Sequence, residues 1–435
     1  MTTQQTPGVR VLRPLRDFLR TETASGVLLV AAAAAALVWA NSPWRDTYHD
    51  LWSTVGGWSA GGFSLTLDLR HWVNDAAMTL FFLVVGLEIR RETATGHLAD
   101  RRAAALPVAA ALGGMAVPAG LYLLIAGRDA AHGWGVPMAT DIALAVGVVV
   151  LAGPQVPRGV RTFLLGLAVA DDIGAIIVIA VFYASGVEAE WLAVGAGALV
   201  VTLAARRAGI NVIALYVTLG VVLWYSLHEA GVHPTLAGVA MGLLAPTTPR
   251  VAPDLVDAEQ LEADLDLSLA SRTAALSADD HSFEAARSAR ATVSTVEWLE
   301  HLLHPWAGYV VVPVFALANA GIEVSATSLR HAAGSTVAWG VLVGLLVGKP
   351  VGVLVAARAA LRTGRVDLPD GASGRHLAGA GAAAGIGFTV ALFIAELAFT
   401  DERQVTDAKM AILLASVLSG VVSLAVLRGR RADRA

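Results

Sequence analysis

The sequence predicts an all-α polytopic membrane protein. It should have about twelve transmembrane helices, inverted repeats with two discontinuous helices (spans four and eleven), and a small extracytoplasmic β-hairpin. Three observations lead there. Only 15% of the 435 residues are charged and 56% are hydrophobic, where a soluble globular chain carries about 25% charged residues. Apolar runs near the roughly 20 residues of a membrane crossing recur from end to end. Arginines concentrate on alternate connections between those runs, as cytoplasmic loops do. The same composition excludes whole classes of function. With no cysteine there are no disulfides, thiol nucleophiles or cysteine-ligated metals. A net charge of −4 gives no footing for a nucleic-acid partner.

The elements follow in order. Residues 1–22 read as a cytoplasmic N-terminal segment. Residues 23–249 hold spans one to eight, and 250–297 form an acidic cytoplasmic linker. Spans nine to twelve occupy 298–428, and 429–435 are a basic cytoplasmic tail. The individual runs are 23–44, 71–95, 103–127, 130–157, 159–187, 190–205, 208–228, 230–249, 298–322, 332–357, 376–399 and 405–427. The first is a retained span rather than a cleaved signal peptide, because its small residues lie inside a long apolar run. The run 190–205 is short and depends on its neighbours. With the N-terminus inside, the cytoplasmic segments hold 24 arginines and the outer loops 5, which puts both termini in the cytoplasm.

Between spans one and two, FSLTLDLRHW (63–72) alternates Phe63, Leu65, Leu67 and Leu69 with polar residues after a glycine-rich stretch. That pattern predicts an outer β-hairpin near 52–70. A lone hairpin is marginal in water, so its edge is expected to pair with a second copy of the chain. In the linker, residues 251–296 hold nine acidic and three basic residues. There LVDAEQLEADLDL fits either a short amphipathic helix or a solvated loop.

The chemistry lies inside the apolar runs. FLLGLAVADDIGAIIVIA (163–180) carries Asp171 and Asp172 side by side. A charge at a helix centre costs roughly 2.5–3.5 kcal/mol on insertion, so packing alone does not account for two of them. Helical neighbours differ by about 100° in direction, so one aspartate can face an aqueous cavity while the other turns to an adjacent helix. A partner is available in Lys349, the single charge of span ten, although a lysine can also snorkel to the interface. VPMATDIALAVG places Pro137, Thr140 and Asp141 where helix is poorly supported; the span either breaks there or kinks around a satisfied polar pair. GAGAAAGIGFTVALFIA offers a matching break in span eleven, or a packing face of small residues. Interrupted spans at corresponding positions of two halves indicate inverted repeats, here spans three to five and ten to twelve. Asp141 can offset the positive N-terminal ends of such half-helices and Lys349 the negative C-terminal ends. Carboxylates, Thr140 and freed carbonyls are hard oxygen ligands that suit a small alkali cation such as Na+ or Li+. A carboxylate also takes H+, so cation and proton compete for one site. No cofactor is called for.

At these residues the chain resembles a known family. ATDIALA, AVADDIGAI, GKP, GVHPTLAGV, GLEIRRE, LEHLLHPW and GIGFTVALFIA, in their order, resemble the NhaA-type sodium/proton antiporters, for which inverted repeats with broken helices are the type example. The resemblance runs from span one to span twelve and leaves out mainly the 251–296 insert. It implies that Asp171 and Asp172 bind the ion and the proton, with Asp172 the more direct sodium ligand and Asp171 the partner of Lys349. It sets Thr140 and Asp141 at the crossing of the broken helices. It implies electrogenic exchange of Na+ or Li+ for H+ by alternating access, in a bacterial cytoplasmic membrane, serving sodium and pH homeostasis. It also implies a homodimer joined through the outer hairpin. Glu88, Glu92, Glu300, His301, His304 and His233 match positions of pH response; interfacial polar residues and helix caps are the plainer reading. His233 also stands one turn from Glu229. Where relatives carry basic residues before Leu-Glu-His, this chain has Glu297 and Trp298. Asp75 reads as a span-end residue, and Glu396 has no assigned role. A cation channel would need charge rings, a membrane aspartyl protease a protease motif, and a sodium-coupled solute carrier more contacts for an organic substrate; none of these is visible.

Overall fold

A computed structural model describes residues 22–60, 63–96, 98–184, 186–210, 212–248, 293–364 and 366–429. The LVDAEQLEADLDL stretch, nearly all of the N-terminal segment and most of the basic tail lie outside the described residues. The chain is mostly helical. In order it forms α1 (Glu22–Ala40), α2 (Arg45–Ser53), β1 (Val55–Ala60), β2 (Phe63–Asp68), α3 (Leu69–Ala94) and α4 (Arg101–Ala126). A 3₁₀ segment (Ala131–Met138) then precedes α5 (Ile142–Ala152), α6 (Arg158–Phe182), α7 (Ala189–Arg207), α8 (Ile213–Glu229) and α9 (Leu236–Leu243). The remainder is α10 (Thr295–Asn319), α11 (Ala326–Gly334), α12 (Thr336–Arg362), α13 (Gly374–Ala384), α14 (Phe388–Ala398) and α15 (Glu402–Arg428).

Among the described residues, 8 helices are long and apolar enough to cross a membrane. Two bent pairs, α1 with α2 at 113° and α13 with α14 at 44°, raise that to 10. The outer surface is apolar as well as the core: Val38, Leu124, Val200 and Val417 are all exposed. In water such a surface would be a liability; against lipid it is the expected one.

The strands pair antiparallel, from Val55 opposite Asp68 to Ala60 opposite Phe63. The alternation that predicts a hairpin to about residue 70 is overruled at Asp68. Its carboxylate accepts the His71 amide at 2.7 Å and caps α3, so the chain turns helical at Leu69. Burial alone would raise the Asp68 carboxyl. Hydrogen bonds from the His71 amide and ring, with the Arg70 charge nearby, together hold it below its ordinary value.

Two apolar clusters organise the interior. One gathers Leu29, Phe315, Leu345, Phe393 and Ile412, and also holds Ala139 and Phe388. The other gathers Leu106, Val149, Leu164, Val353 and Leu377, and also holds Ala145 and Ala384. The breaks at 139–141 and 385–387 therefore lie on the seam between the clusters. Glycine makes the crossing possible: a Cβ at Gly385 would meet the Leu345 carbonyl oxygen at 2.6 Å and Ser419 Oγ at 2.7 Å. Pro350 lacks an amide, and α12 widens into a π turn over Gly344–Gly348 just before Lys349.

Candidate functional site at the crossing of two broken helices

Lys349 is fully buried, which rules out snorkelling for this side chain. Its Nζ donates to Asp171 Oδ2 and to the Met138 carbonyl, the last residue of the 3₁₀ segment. The ammonium thus meets both a carboxylate and the negative end of a broken helix. Thr140 joins them: its hydroxyl lies 2.6 Å from Asp171 Oδ2 and 2.9 Å from the Ala384 carbonyl, where α13 ends. Asp171 Oδ1 is buried and has no hydrogen-bond partner among the described residues.

Asp141 serves the opposite ends. Its Oδ1 accepts the Leu144 amide at 3.0 Å, capping α5. Its Oδ2 accepts the Thr389 amide at 3.2 Å and hydroxyl at 2.7 Å, at the start of α14. The Asp141 amide donates to the Ile386 carbonyl at 2.6 Å, tying the two breaks together through the backbone. One carboxylate therefore satisfies the N-termini of two half-helices. Asp172, 7% exposed, takes no hydrogen bond among the described residues. It stands in the field of Glu88, Asp171 and Asp141 and of the opposite charge on Lys349. Among the described residues no group of three or more His, Asp or Glu side chains gathers around one point. A cation here would draw on the two neighbouring aspartates, a hydroxyl and backbone carbonyls, the donor set of a small hard ion.

The remaining candidates fall into separate places. Arg91 joins Glu300 at 2.5 Å and Glu92 at 3.4 Å, linking α3 to α10. Glu88 lies one turn before Glu92 on α3 and is partly buried. His301 and His304 are exposed on α10. Glu297 replies to the question its position raised: it closes a capping box with Ser294 at the start of α10. His233 does not pair with Glu229. α8 ends at Glu229 and Gly231 turns the chain with φ 71°, so helical spacing does not apply. Instead His233 Nε2 lies 3.6 Å from Asp75, and Nδ1 lies 2.8 Å from Thr235 Oγ1. Asp75, which reads as a span-end residue, is buried in a π turn, Val73–Ala77, near the start of α3. It precedes Glu88 by 13 residues, roughly 20 Å of helix, so the six residues do not form one cluster.

Several partnerships have no mark in the sequence. Thr389 reads only as the polar residue after the glycines of span eleven, and its bond to Asp141 has no signature. Glu396, left without a role, forms an ion pair with the buried Lys409 across α14 and α15. Asn74 and Asn319 exchange amide hydrogen bonds at 2.7 and 3.4 Å between α3 and α10. Buried amides and ion pairs between helices have no sequence signature beyond the residue types.

The model of the family described as Na+/H+ antiporter 1 matches residues 16–427. That is nearly the whole chain. The chain belongs to the NhaA family of Na+/H+ antiporters. It is 48% identical over 423 residues to Na(+)/H(+) antiporter NhaA 2 of Myxococcus xanthus, covering 96% of this chain and 89% of that one. It is 43% identical over 432 residues to Na(+)/H(+) antiporter NhaA 3 of Frankia alni, covering 97% and 91%. It is 42% identical over 436 residues to Na(+)/H(+) antiporter NhaA of Oleidesulfovibrio alaskensis, covering 98% and 97%. The NhaA family is one of multi-pass membrane transporters, not of enzymes, and the apolar helices fit that membership.

Proposed function

We propose that this chain exports Na+, and also Li+, in exchange for H+ by alternating access at the crossing of the broken helices. The observation that carries the reading is the buried pair of adjacent aspartates with unequal partners. Asp171 is engaged by Lys349 and Thr140, whereas Asp172 has no hydrogen bond among the described residues. On this reading Asp172 takes the cation most directly, and Asp171 Oδ1, Thr140 and nearby carbonyls complete its shell. Asp141 and Lys349 compensate the half-helix ends. Protons occupy the carboxylates when the cation has left, and the two loaded forms cross while the empty form does not. On this reading, which rests on family membership, more protons move inward than sodium ions outward, so the exchange is electrogenic.

The wider assignments rest on the same membership. With α8 and α9 counted as crossings the spans number twelve, and the arginine bias puts both termini in the cytoplasm of a bacterial plasma membrane. Glu88, Glu92, Glu300, His301, His304 and His233 tune the response to pH, and the transport serves sodium and pH homeostasis. The protein works as a homodimer joined at the outer hairpin.

Transport by the purified protein in liposomes tests this. Added Na+ or Li+ should dissipate an imposed pH gradient, and Asp172→Asn should abolish the response. Flux indifferent to the cation, or full activity in the variant, overturns the mechanism.

A further inference from the structure

A cleft lies away from Asp171 and Asp172, on the arginine-rich face. α4 and α6 touch where a Cβ at Gly166 would come 3.3 Å from the Pro107 ring. Toward their N-terminal ends they part and enclose a cleft of about 1240 Å³. Residues 366–370 close one side. They press so near that a Cβ at Gly159 would stand 2.9 Å from the Asp370 backbone nitrogen and oxygen. Leu98, Leu106, Phe163 and Leu368 give the cleft apolar walls.

Its rim is charged. Arg101, Arg102 and Arg158 line it, all exposed, and none donates a side-chain hydrogen bond to another described residue. Asp367 and Asp370 line it too, so the rim carries both signs with an excess of cation. α4 is capped by Asp100, but α6 starts after Pro157 with no side-chain cap; the Val160 amide donates to the Pro157 carbonyl at 3.0 Å, which leaves the Arg158 and Gly159 amides as donors at the open start. A free anion would use the arginines and gain nothing from the apolar walls. An acyl chain would use the walls and gain nothing from the arginines. A ligand with both parts uses the whole cleft. The uncharged stretch 103–127 begins directly after Arg102, which sets this rim at the height where lipid phosphates lie.

We propose that the cleft between α4 and α6 binds an acidic glycerophospholipid with a hydroxylated headgroup. The phosphate bonds Arg102, Arg158 and the open start of α6, the headgroup hydroxyls donate to Asp367 and Asp370, and acyl chain lies along the apolar walls. The site is independent of ion exchange, so its test reads binding.

The full chain, purified in detergent, is melted with dioleoyl-phosphatidylglycerol, with dioleoyl-phosphatidylcholine, and with inorganic phosphate alone. Phosphatidylglycerol should raise the melting temperature and the other two should not. In R102Q/R158Q the concentration giving half of the shift should rise about tenfold or more, from lost charge-assisted hydrogen bonds. R358Q/R362Q, which removes two exposed arginines outside the cleft, should respond as the parent does. T162W fills the cleft and keeps every arginine; it too should lose the shift, and it decides the matter if the arginine variant does not fold. An equal shift with phosphatidylcholine, the full shift with phosphate alone, or equal losses in both arginine pairs overturns the proposal.

Discussion

At the scale of single residues, Lys349 decides how the site holds together. Its ammonium is fully buried and faces one carboxylate and one carbonyl. Removing one member of a buried pair leaves the other charge stranded, at a cost of about 3–5 kcal/mol in well-studied cases. Lys349→Met should therefore lower the melting temperature in detergent, and Asp171→Asn with Lys349→Met should recover much of the loss. A double variant whose losses simply add would show that the two groups are not coupled. Thr389 is a gentler case. Its hydroxyl donates to the Asp141 carboxylate, so Thr389→Val should cost about 1.5–3 kcal/mol and Thr389→Ser almost nothing. Thermal melts of the two variants side by side read that difference; equal stability would mean the bond contributes nothing. These residues also mark how far the sequence could be read. Asp141, Asp171, Asp172 and Lys349 stand out because charge in an apolar run is costly. Thr389 does not, since threonine in a membrane helix is commonplace. The carbonyls of Met138 and Ala384 have no signature of their own, because they become available only once the helices break.

At the scale of elements, caps explain both what was foreseen and what was not. The breaks at 139–141 and 385–387 were legible because Pro137, the Thr140–Asp141 pair and a run of glycines all disfavour helix over the same few residues. That one aspartate would cap α5 and reach the start of α14 was not, since it depends on how the two breaks cross. The His233–Glu229 spacing fails for a related reason: it holds only in continuous helix, and the chain turns at Gly231. The strand that ends at Asp68 is the clearest case, because the alternation Leu65, Leu67, Leu69 runs on past the residue that caps α3. That cap makes the junction sensitive to acid. Asp68 titrates below its ordinary value in the folded chain, so its ionised form stabilises the junction at pH values above the ordinary carboxylate range. The contribution fades as pH falls through the lowered value. Hydrogen exchange of the amides at 69–72 should accordingly be faster in Asp68→Asn than in the parent near neutrality, and the two should converge at strongly acidic pH. Identical exchange near neutrality would remove the cap from the account.

At the scale of the whole molecule, a bundle of many apolar helices was legible because lipid imposes one rule on every span, and the order of apolar runs reports it. Among the described residues 8 to 10 of the twelve expected runs meet helix long and apolar enough to cross, while α8, with 17 residues, and α9, with 8, are shorter than a straight crossing requires. Composition cannot set the length of helices that rest against neighbours, as α8 does where Trp224 Nε1 donates to the Asp75 carbonyl of α3 at 3.2 Å. Assembly is where the hairpin enters. Its sheet has two strands only, so each strand has an edge whose amides and carbonyls lack a ladder partner within the described residues. A second copy can supply that partner, and the proposed homodimer rests on this edge. Val55 and Asp68 face each other in register, so the chain can be rejoined there with two glycines in place of residues 56–67. The shortened protein keeps every residue of the crossing. It should run as a monomer when its mass is measured in detergent by light scattering, and should still dissipate a pH gradient on addition of Na+. A dimer that survives the excision would place the interface elsewhere. A monomer without transport would mean that the two copies are needed together for exchange, and not only for assembly.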